Sequence, residues 1–223
     1  MTGTDDRRHG IARNLRAGCL ALALAVTDQQ QEKLLAYLGL LAKWNQRYNL
    51  TAVADLQQAV HLHVLDSLSV LPYIRGPRVL DVGSGAGLPG IVLAVSRPDW
   101  QVYCVDSRGK KVRFIQQVVT EIGLTNVRPV HARIESWTPD QTFDTVICRA
   151  FAGLRQMLQL TAMHAANDGR WLAMKGKLPE AEMQTLDDKN YMVHAVHTIN
   201  VPGLAAERHL VEIARRQDAA NDR

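Results

Sequence analysis

The densest chemical signal in the chain is V-L-D-V-G-S-G-A-G-L-P-G at residues 79–90, where four of the eight residues from Gly83 to Gly90 are glycine. Glycines after a strand let the backbone approach a ligand closely, and the helix that follows opens with free N–H groups. Gly85-Ala-Gly87-Leu-Pro-Gly90 fits the dinucleotide spacing G-x-G-x-x-G, a weak pattern alone, and a ligand-free tight turn could use the same residues. Asp81 lies inside the strand, two residues before Gly83. A carboxylate buried there must be satisfied, by loop N–H groups or by a cationic group on a ligand. Anionic pyrophosphate is poorly served by it, whereas a zwitterionic amino-acid tail is well served. Asp106 ends the next strand, 23 residues after Gly83, where a carboxylate can accept hydrogen bonds from both hydroxyls of a ribose. Nicotinamide enzymes share that feature, so Asp106 does not separate cofactor classes; a solvated strand-end Asp is the plain alternative.

Cations form the second group. Arg108, Lys110, Lys111 and Arg113 make a run with no acid inside it. On a helix Lys110 and Arg113 share a face, which serves an anionic partner or merely solvent. Arg133, Arg149, Lys175 and Arg208 fall at or near strand ends or connecting loops, where open α/β sheets bind ligands; surface salt bridges are the competing use. Three further groupings have plain structural readings. His61 and His63 stand near Asp66 but on different helix faces, so no metal is expected. Trp44 and Tyr48, at i and i+4, suit packing between an N-terminal extension and the core. Asn45 and Asn49 suit a loop fixed by side-chain hydrogen bonds.

These residues need a scaffold, and the composition supplies one. The chain has 223 residues and 24.8 kDa, 47% hydrophobic and 22% charged, which fits a globular protein and excludes wholesale disorder. A net charge of +4 permits an anionic partner, while 5% aromatic content argues against a platform that works by stacking bases. Cys19, Cys104 and Cys148 are odd in number and include no C-x-x-C pair, the usage of a reducing compartment. The apolar stretch 19–26 is too short to span a bilayer. It follows Arg7, Arg8, Arg13 and Arg16, but no clear small-residue cleavage site separates it from the next amphipathic helix. A soluble, cytoplasmic, monomeric protein with no membrane contact is the expectation.

The pattern predicts a flexible N-terminus over 1–10, a helical extension over 11–76, an α/β domain over 77–216 and a flexible C-terminus over 217–223. In the extension Leu34, Leu38 and Leu41 repeat at helical spacing with Asp28 as N-cap; Val60, Val64, Leu68 and Leu71 repeat likewise with Asp55 as cap. W-N-Q-R-Y-N-L-T (44–51) reads as a loop between them. After Pro77, strands near 79–82, 101–106, 127–132, 143–148 and 170–174 alternate with helices near 88–97, 109–122 and 154–166. That alternation means a parallel sheet covered on both faces. Residues 191–201 and 208–214, joined around Pro202-Gly203, read as two antiparallel strands.

The pattern h-h-D-h-G-S-G-x-G resembles the cofactor loop of S-adenosylmethionine-dependent methyltransferases, and the antiparallel tail suits their sheet. W-N-Q-R-Y-N-L-T, H-V-L-D-S-L (63–68), G-S-G-A-G-L-P-G-I (83–91), D-S-R-G-K-K-V-R-F-I (106–115), R-I-E (133–135), C-R-A (148–150) and M-K-G (174–176) stand in this order. Over residues 12–215 the chain closely resembles the bacterial ribosomal RNA small-subunit methyltransferase G family, also called glucose-inhibited division protein B. The resemblance implies a class I methyltransferase fold, Rossmann-like, with a seven-stranded, mostly parallel sheet, an antiparallel C-terminal strand and a helical extension. It implies methyl transfer from S-adenosylmethionine to ring nitrogen 7 of one guanosine in 16S ribosomal RNA, free or in a small-subunit assembly particle. It implies cofactor contacts at Gly83, Leu88, Ile134, Glu135 and Arg149, to which the loop and strand-end reading adds Asp81, Gly85, Gly87 and Asp106. Lys110, Arg133, Lys175 and Arg208 are the expected RNA contacts. Val92 stands where the family often has Pro and Cys148 where Ser is common; neither change removes a charge or a glycine.

Guanine nitrogen 7 carries a lone pair and no hydrogen, so attack on a sulfonium methyl needs no prior deprotonation. Alignment supplies most of the rate, and no catalytic acid or base is nominated. Two other readings stay open on the residues alone. One is a nicotinamide-dependent oxidoreductase, supported only by the glycine loop and Asp106. The other is a non-enzymatic RNA-binding module, against which the intact Asp81, Gly83, Gly85 and Asp106 argue.

Overall fold

The computed structural model describes residues 2–186 and 190–216. Helix α1 spans Thr2–Ala21, so helix begins well before residue 11; residues 217–223 lie outside the described residues. Helix α2 spans Asp28–Tyr48 and buries Leu34, Tyr37, Leu38 and Leu41. Its N-cap is Thr27, not Asp28. The Thr27 hydroxyl accepts from Gln30 N–H at 3.2 Å while the Gln30 side chain accepts from Thr27 N–H at 2.8 Å. This reciprocal capping box satisfies two donors, which a lone Asp28 cap could not. The helix runs on through residues expected to be loop. Trp44 and Tyr48 pack one turn apart with tilted rings, centroids 5.1 Å, and that packing outweighs the modest helix propensity of Asn45. The stop comes at Asn49, in the left-handed conformation with φ 48°.

The chain then enters a helix in three pieces: α3 (Leu56–Ala59), a π turn (Val60–Leu65) and α4 (Asp66–Leu68). Asp55 caps it by accepting from Gln58 N–H at 2.8 Å. Seven strands follow: β1 (Arg78–Val82), β2 (Gln101–Asp106), β3 (Val127–His131), β4 (Phe143–Arg149), β5 (Ala165–Lys175), β6 (Tyr191–Thr198) and β7 (His209–Arg215). Their helices are α5 (Gly90–Ser96), α6 (Gly109–Ile122), α7 (Leu154–Thr161) and the short α8 (Glu180–Gln184), which the sequence reading did not anticipate. Strand order is β3-β2-β1-β4-β5-β7-β6, with β7 antiparallel to β5 and β6 and the other pairs parallel. This is the predicted mostly parallel seven-stranded sheet with an antiparallel C-terminal strand.

Strand β5 starts at Ala165 rather than 170 and shortens the preceding helix. Ala165 pairs with Phe143, but the register next resumes at Arg170 opposite Thr145. The polar residues Asn167 and Asp168 bulge out between them, exposed.

The extension is not a separate layer. Leu15, Leu34, Tyr37 and Leu65 share one continuous apolar cluster with Val79, Ile91, Cys104 and Phe114 of the sheet and its helices. Strand order reverses between β1 and β4, and such a switch point opens a crevice at the carboxyl ends of the strands. Among the described residues no helix is long and apolar enough to cross a membrane.

Candidate active site

The loop after β1 is shaped by three glycines with positive φ: Gly83 (67°), Gly85 (58°) and Gly87 (83°). Such a φ costs any residue with a Cβ. Gly83 and Ser84 donate their N–H groups to Val105 O at 2.9 and 3.1 Å, folding the loop across β2. Gly85 N–H donates to Asp106 Oδ2 at 2.9 Å, and Arg108 N–H to Asp106 Oδ1 at 2.8 Å. From the other side Tyr37 of α2 donates its hydroxyl to Ala86 O at 3.0 Å, so the extension braces the loop.

Two cavities meet over this loop, of about 480 and 430 Å³. The first is walled by Leu50, Thr51, Asp66, Leu88, Arg149, Met174, Lys175 and Arg208. The second is walled by Asp106, Arg133, Ile134, Glu135, Phe151 and Gln156. Gly83, Gly85, Lys111 and Ala150 line both. Ala150 holds φ 52° without being glycine, a strained conformation of the kind that clusters at functional sites.

Three residues expected at the cofactor or RNA line neither cavity: Asp81, Gly87 and Lys110. Asp81 is fully buried beneath the loop. Its Oδ2 accepts from Gly90 N–H at 2.8 Å, and its Oδ1 has no partner. The first amide of α5 therefore serves one of its two oxygens. Burial pushes this carboxyl up to about 7, against the Gly90 hydrogen bond and the charge of Arg149. Gly87 makes room for packing: a Cβ there would lie 2.5 Å from Ile91 Cγ1. Exposed Lys110 donates to Tyr48 O at 3.2 Å.

The other cations already have partners. Arg133 lies 3.8 Å from Glu135 with its side chain 76% exposed. Lys175 Nζ donates to Glu182 Oε2 at 3.0 Å and to Ala152 O at 3.2 Å. Arg149 Nη1 donates to Leu62 O at 3.0 Å and to Asp66 Oδ2 at 3.3 Å, and Arg208 Nε donates to Asp66 Oδ1 at 2.9 Å.

Sequence reasoning noted Lys111 in the cation run and Asp66 beside the histidines but nominated neither them nor Phe151 as site residues. Lys111 is 8% exposed, its ammonium donates to Leu50 O, and burial lowers its pKa, with Asp106 opposing. The signal for it was present. Lys111, Phe114, Ile115 and Val118 are the buried residues of α6, at i, i+3, i+4 and i+7. Phe151 packs against the loop so closely that a Cβ at Gly83 would lie 2.6 Å from its ring. His61 Nδ1 meets Pro202 O at 2.7 Å and His63 Nε2 meets Thr51 Oγ1 at 2.9 Å. Among the described residues no group of three or more His, Cys, Asp or Glu is placed to hold a metal ion.

Residues 30–211 match the family model described as rRNA small subunit methyltransferase G. The chain belongs to that family. A curated relative from Methylobacillus flagellatus, named ribosomal RNA small subunit methyltransferase G, is 48% identical over 203 residues, 91% of this chain and 98% of that one. A relative of the same name from Chromobacterium violaceum is 48% identical over 200 residues, 89% and 95% of the two chains. Among solved structures, an S-adenosylmethionine-dependent methyltransferase from Aquifex aeolicus superposes with TM-score 0.53 at 19% identity, covering 69% of this chain and 92% of that one. A mitomycin 7-O-methyltransferase superposes with TM-score 0.60 at 13% identity, covering 80% and 60%. The fold is that of class I methyltransferases. As a methyltransferase G family member, the chain is an S-adenosylmethionine-dependent rRNA methyltransferase, and the family's activity is at guanine nitrogen 7 of 16S rRNA. The oxidoreductase and non-enzymatic readings fall away.

The residues present fit S-adenosylmethionine. The glycine cradle admits close backbone approach. Asp106 is presented at a cavity wall with both oxygens anchored, and Asp81, buried beneath the loop, holds the start of α5 through Gly90 N–H.

Proposed function

We propose that the two cavities are the two halves of one methyl-transfer site. The second receives the adenosine end of the cofactor, with Asp106 taking the ribose hydroxyls and Ile134 and Glu135 flanking the base. The first receives the target guanine of 16S rRNA, free or within an assembling small-subunit particle. Gly83, Gly85 and Leu88 hold the cofactor at the seam, Arg149 reaches it from β4, and Asp81 acts through the Gly90 amide at the start of α5. Arg208 and Lys175 at the first cavity and Arg133 and Lys110 at the rim meet RNA phosphates. The protein acts as a cytoplasmic monomer. One observation carries this reading: Asp106, fixed by Gly85 and Arg108 N–H groups, lines a cavity that shares a wall with a second, cation-rich one.

S-adenosylmethionine, when bound, supplies an electrophilic methyl group on a sulfonium. The chain's part is to orient guanine and exclude water. Thr51, Leu88 and Met174 offer a largely apolar wall, and the cations draw in the phosphate backbone. No residue has to take a proton from nitrogen 7.

The test has two arms. Calorimetric titration should detect S-adenosylhomocysteine and no NADH binding. Mass mapping of small-subunit rRNA from cells lacking the protein, treated as naked RNA and as 30S particles, should show one guanosine gaining a methyl at nitrogen 7. Methylation at another atom, or none with either substrate, refutes the reading.

A further inference from the structure

Asp66 is the acidic residue walling the first cavity, and it comes from the helical extension rather than from the methyltransferase sheet. Its side chain is 4% exposed, and among the described residues its carboxylate oxygens meet guanidinium groups and no backbone amide. Oδ1 accepts from Arg208 Nε at 2.9 Å and Oδ2 from Arg149 Nη1 at 3.3 Å. One carboxylate thus bridges two guanidinium groups that lie 83 and 142 residues away in sequence, one at the end of β4 and one just before β7. Asp66 directly follows the π turn, and the carbonyl of Leu62 within that turn takes the other bond from Arg149 Nη1. Wide turns of this kind recur at functional sites.

The bonding leaves each arginine asymmetric. Arg149 spends Nη1 on Leu62 and Asp66, and among the described residues its Nε and Nη2, the edge that makes a bidentate contact, meet no acceptor. Arg208 spends Nε on Asp66 and Nη1 on Glu207 O, with Nη2 left over. A buried carboxylate is costly unless paired, and two cations side by side would splay apart without an anion between them.

Resting on the function proposed above, we propose that Asp66 is a positioning residue. It fixes the guanidinium groups of Arg149 and Arg208 so that Arg149 holds the cofactor and Arg208 the target nucleotide in line for transfer. It touches neither substrate nor cofactor itself. The extension therefore completes the guanine chamber and does more than cover the sheet.

The charge arithmetic separates this role from a merely structural one. Asp66→Asn leaves two positive charges without their anion. Affinity for RNA should hold or tighten and its salt dependence should steepen, while kcat falls at least about tenfold because the arginines are no longer aligned. Asp66→Glu keeps the charge but displaces both arginines. It should lower kcat with the salt dependence unchanged, and it keeps the question open to test should Asp66→Asn fail to fold. Glu212→Gln, which disturbs a buried ion pair with Arg170, serves as control and should leave kcat at the wild-type value. Measurements are kcat, RNA affinity with S-adenosylhomocysteine bound, and thermal stability, on the full chain at saturating cofactor. Wild-type kcat in folded Asp66 variants overturns the proposal. So does a joint fall of kcat, RNA affinity and stability, which marks a structural ion pair. A wild-type protein that methylates no rRNA counts against the proposed function instead.

Discussion

Gly85 hands its backbone N–H to Asp106 Oδ2 across 2.9 Å, which ties the glycine loop to the tip of β2. Arg108 N–H fixes the other oxygen at 2.8 Å. The carboxylate cannot swing away, yet each oxygen keeps a lone pair for a ribose hydroxyl. Asp106→Ala should lose hydrogen bonds to a charged group, roughly 1.5–3 kcal/mol, or about 10- to 100-fold in S-adenosylhomocysteine affinity. Calorimetry on the folded variant checks it, and unchanged affinity removes Asp106 from the site.

How far the sequence carried depends on whether a feature is local. Strand β2 was legible to the residue because an apolar run ends there on an Asp. The antiparallel tail was legible because Pro202-Gly203 leaves no room for a crossover helix. Asp81 was legible as buried, but its direction was not drawn from strand parity. Val79 packs in the cluster shared with the extension, and Leu80 and Val82 pack in the other. Asp81 therefore faces the side of α5 and the extension and meets Gly90 rather than a cavity. The Asp66 pairing was not legible at all, since nothing local to H-V-L-D-S-L says which distant arginines will arrive.

Gly90 carries a stability prediction. A Cβ there would lie 2.5 Å from Cys104 Sγ and 2.8 Å from Asp81 Oδ2, all inside the core. Neither neighbour can retreat without disturbing β1 or β2. Gly90→Ala should cost about 1–3 kcal/mol from overpacking, more if the Asp81 hydrogen bond breaks. Denaturant unfolding measures it; a wild-type midpoint would mean that the space beneath α5 is larger than the structure gives.

Asp81 also predicts a pH dependence. Burial raises its carboxyl from the ordinary 3.8 to about 7. The folded state therefore holds a proton that the unfolded state has released. This contribution to stability is full below pH 3.8 and is lost as pH rises towards and through 7. Between pH 5 and 7 it should amount to roughly 2 kcal/mol. Asp81→Asn, neutral throughout, should flatten the unfolding profile over that interval. Parallel profiles for the two proteins would show that Asp81 is already ionised in the fold.

The cations should differ in their effect on RNA binding. Lys110 is exposed and bonded only to a backbone carbonyl, whereas Lys175 faces Glu182 at 3.0 Å. Removing Lys110 should lower the slope of log affinity against log salt by about 0.7–0.9, the share of one phosphate contact. Removing Lys175 should lower it by less, because its charge is already offset. Filter binding across a salt series separates the two, and an unaltered slope in Lys110→Ala would place that lysine away from the phosphates.

The chemistry itself should be indifferent to pH. Nitrogen 7 of guanine attacks with a lone pair that is free at neutral pH, whereas an exocyclic amine or a ribose hydroxyl must shed a proton. Among the described residues, two groups beside the first cavity have a lowered pKa that would suit a base. His63 is bonded to Thr51 Oγ1 at 2.9 Å and held below its usual pKa by burial and by Arg149. Lys111 is lowered as well, but its ammonium is spent on the Leu50 carbonyl. Asp81 titrates near pH 7 but lines neither cavity, so it reaches the rate only through a stability that saturating cofactor supports. The single-turnover rate of methyl transfer at saturating cofactor and RNA should therefore change less than about threefold between pH 6 and 8. Quenched-flow measurement with wild type, His63→Gln and Lys111→Gln decides it. A rate that climbs tenfold per pH unit, and loses that climb in one variant whose binding is intact, would identify a working base and exclude nitrogen 7 as the methylated atom.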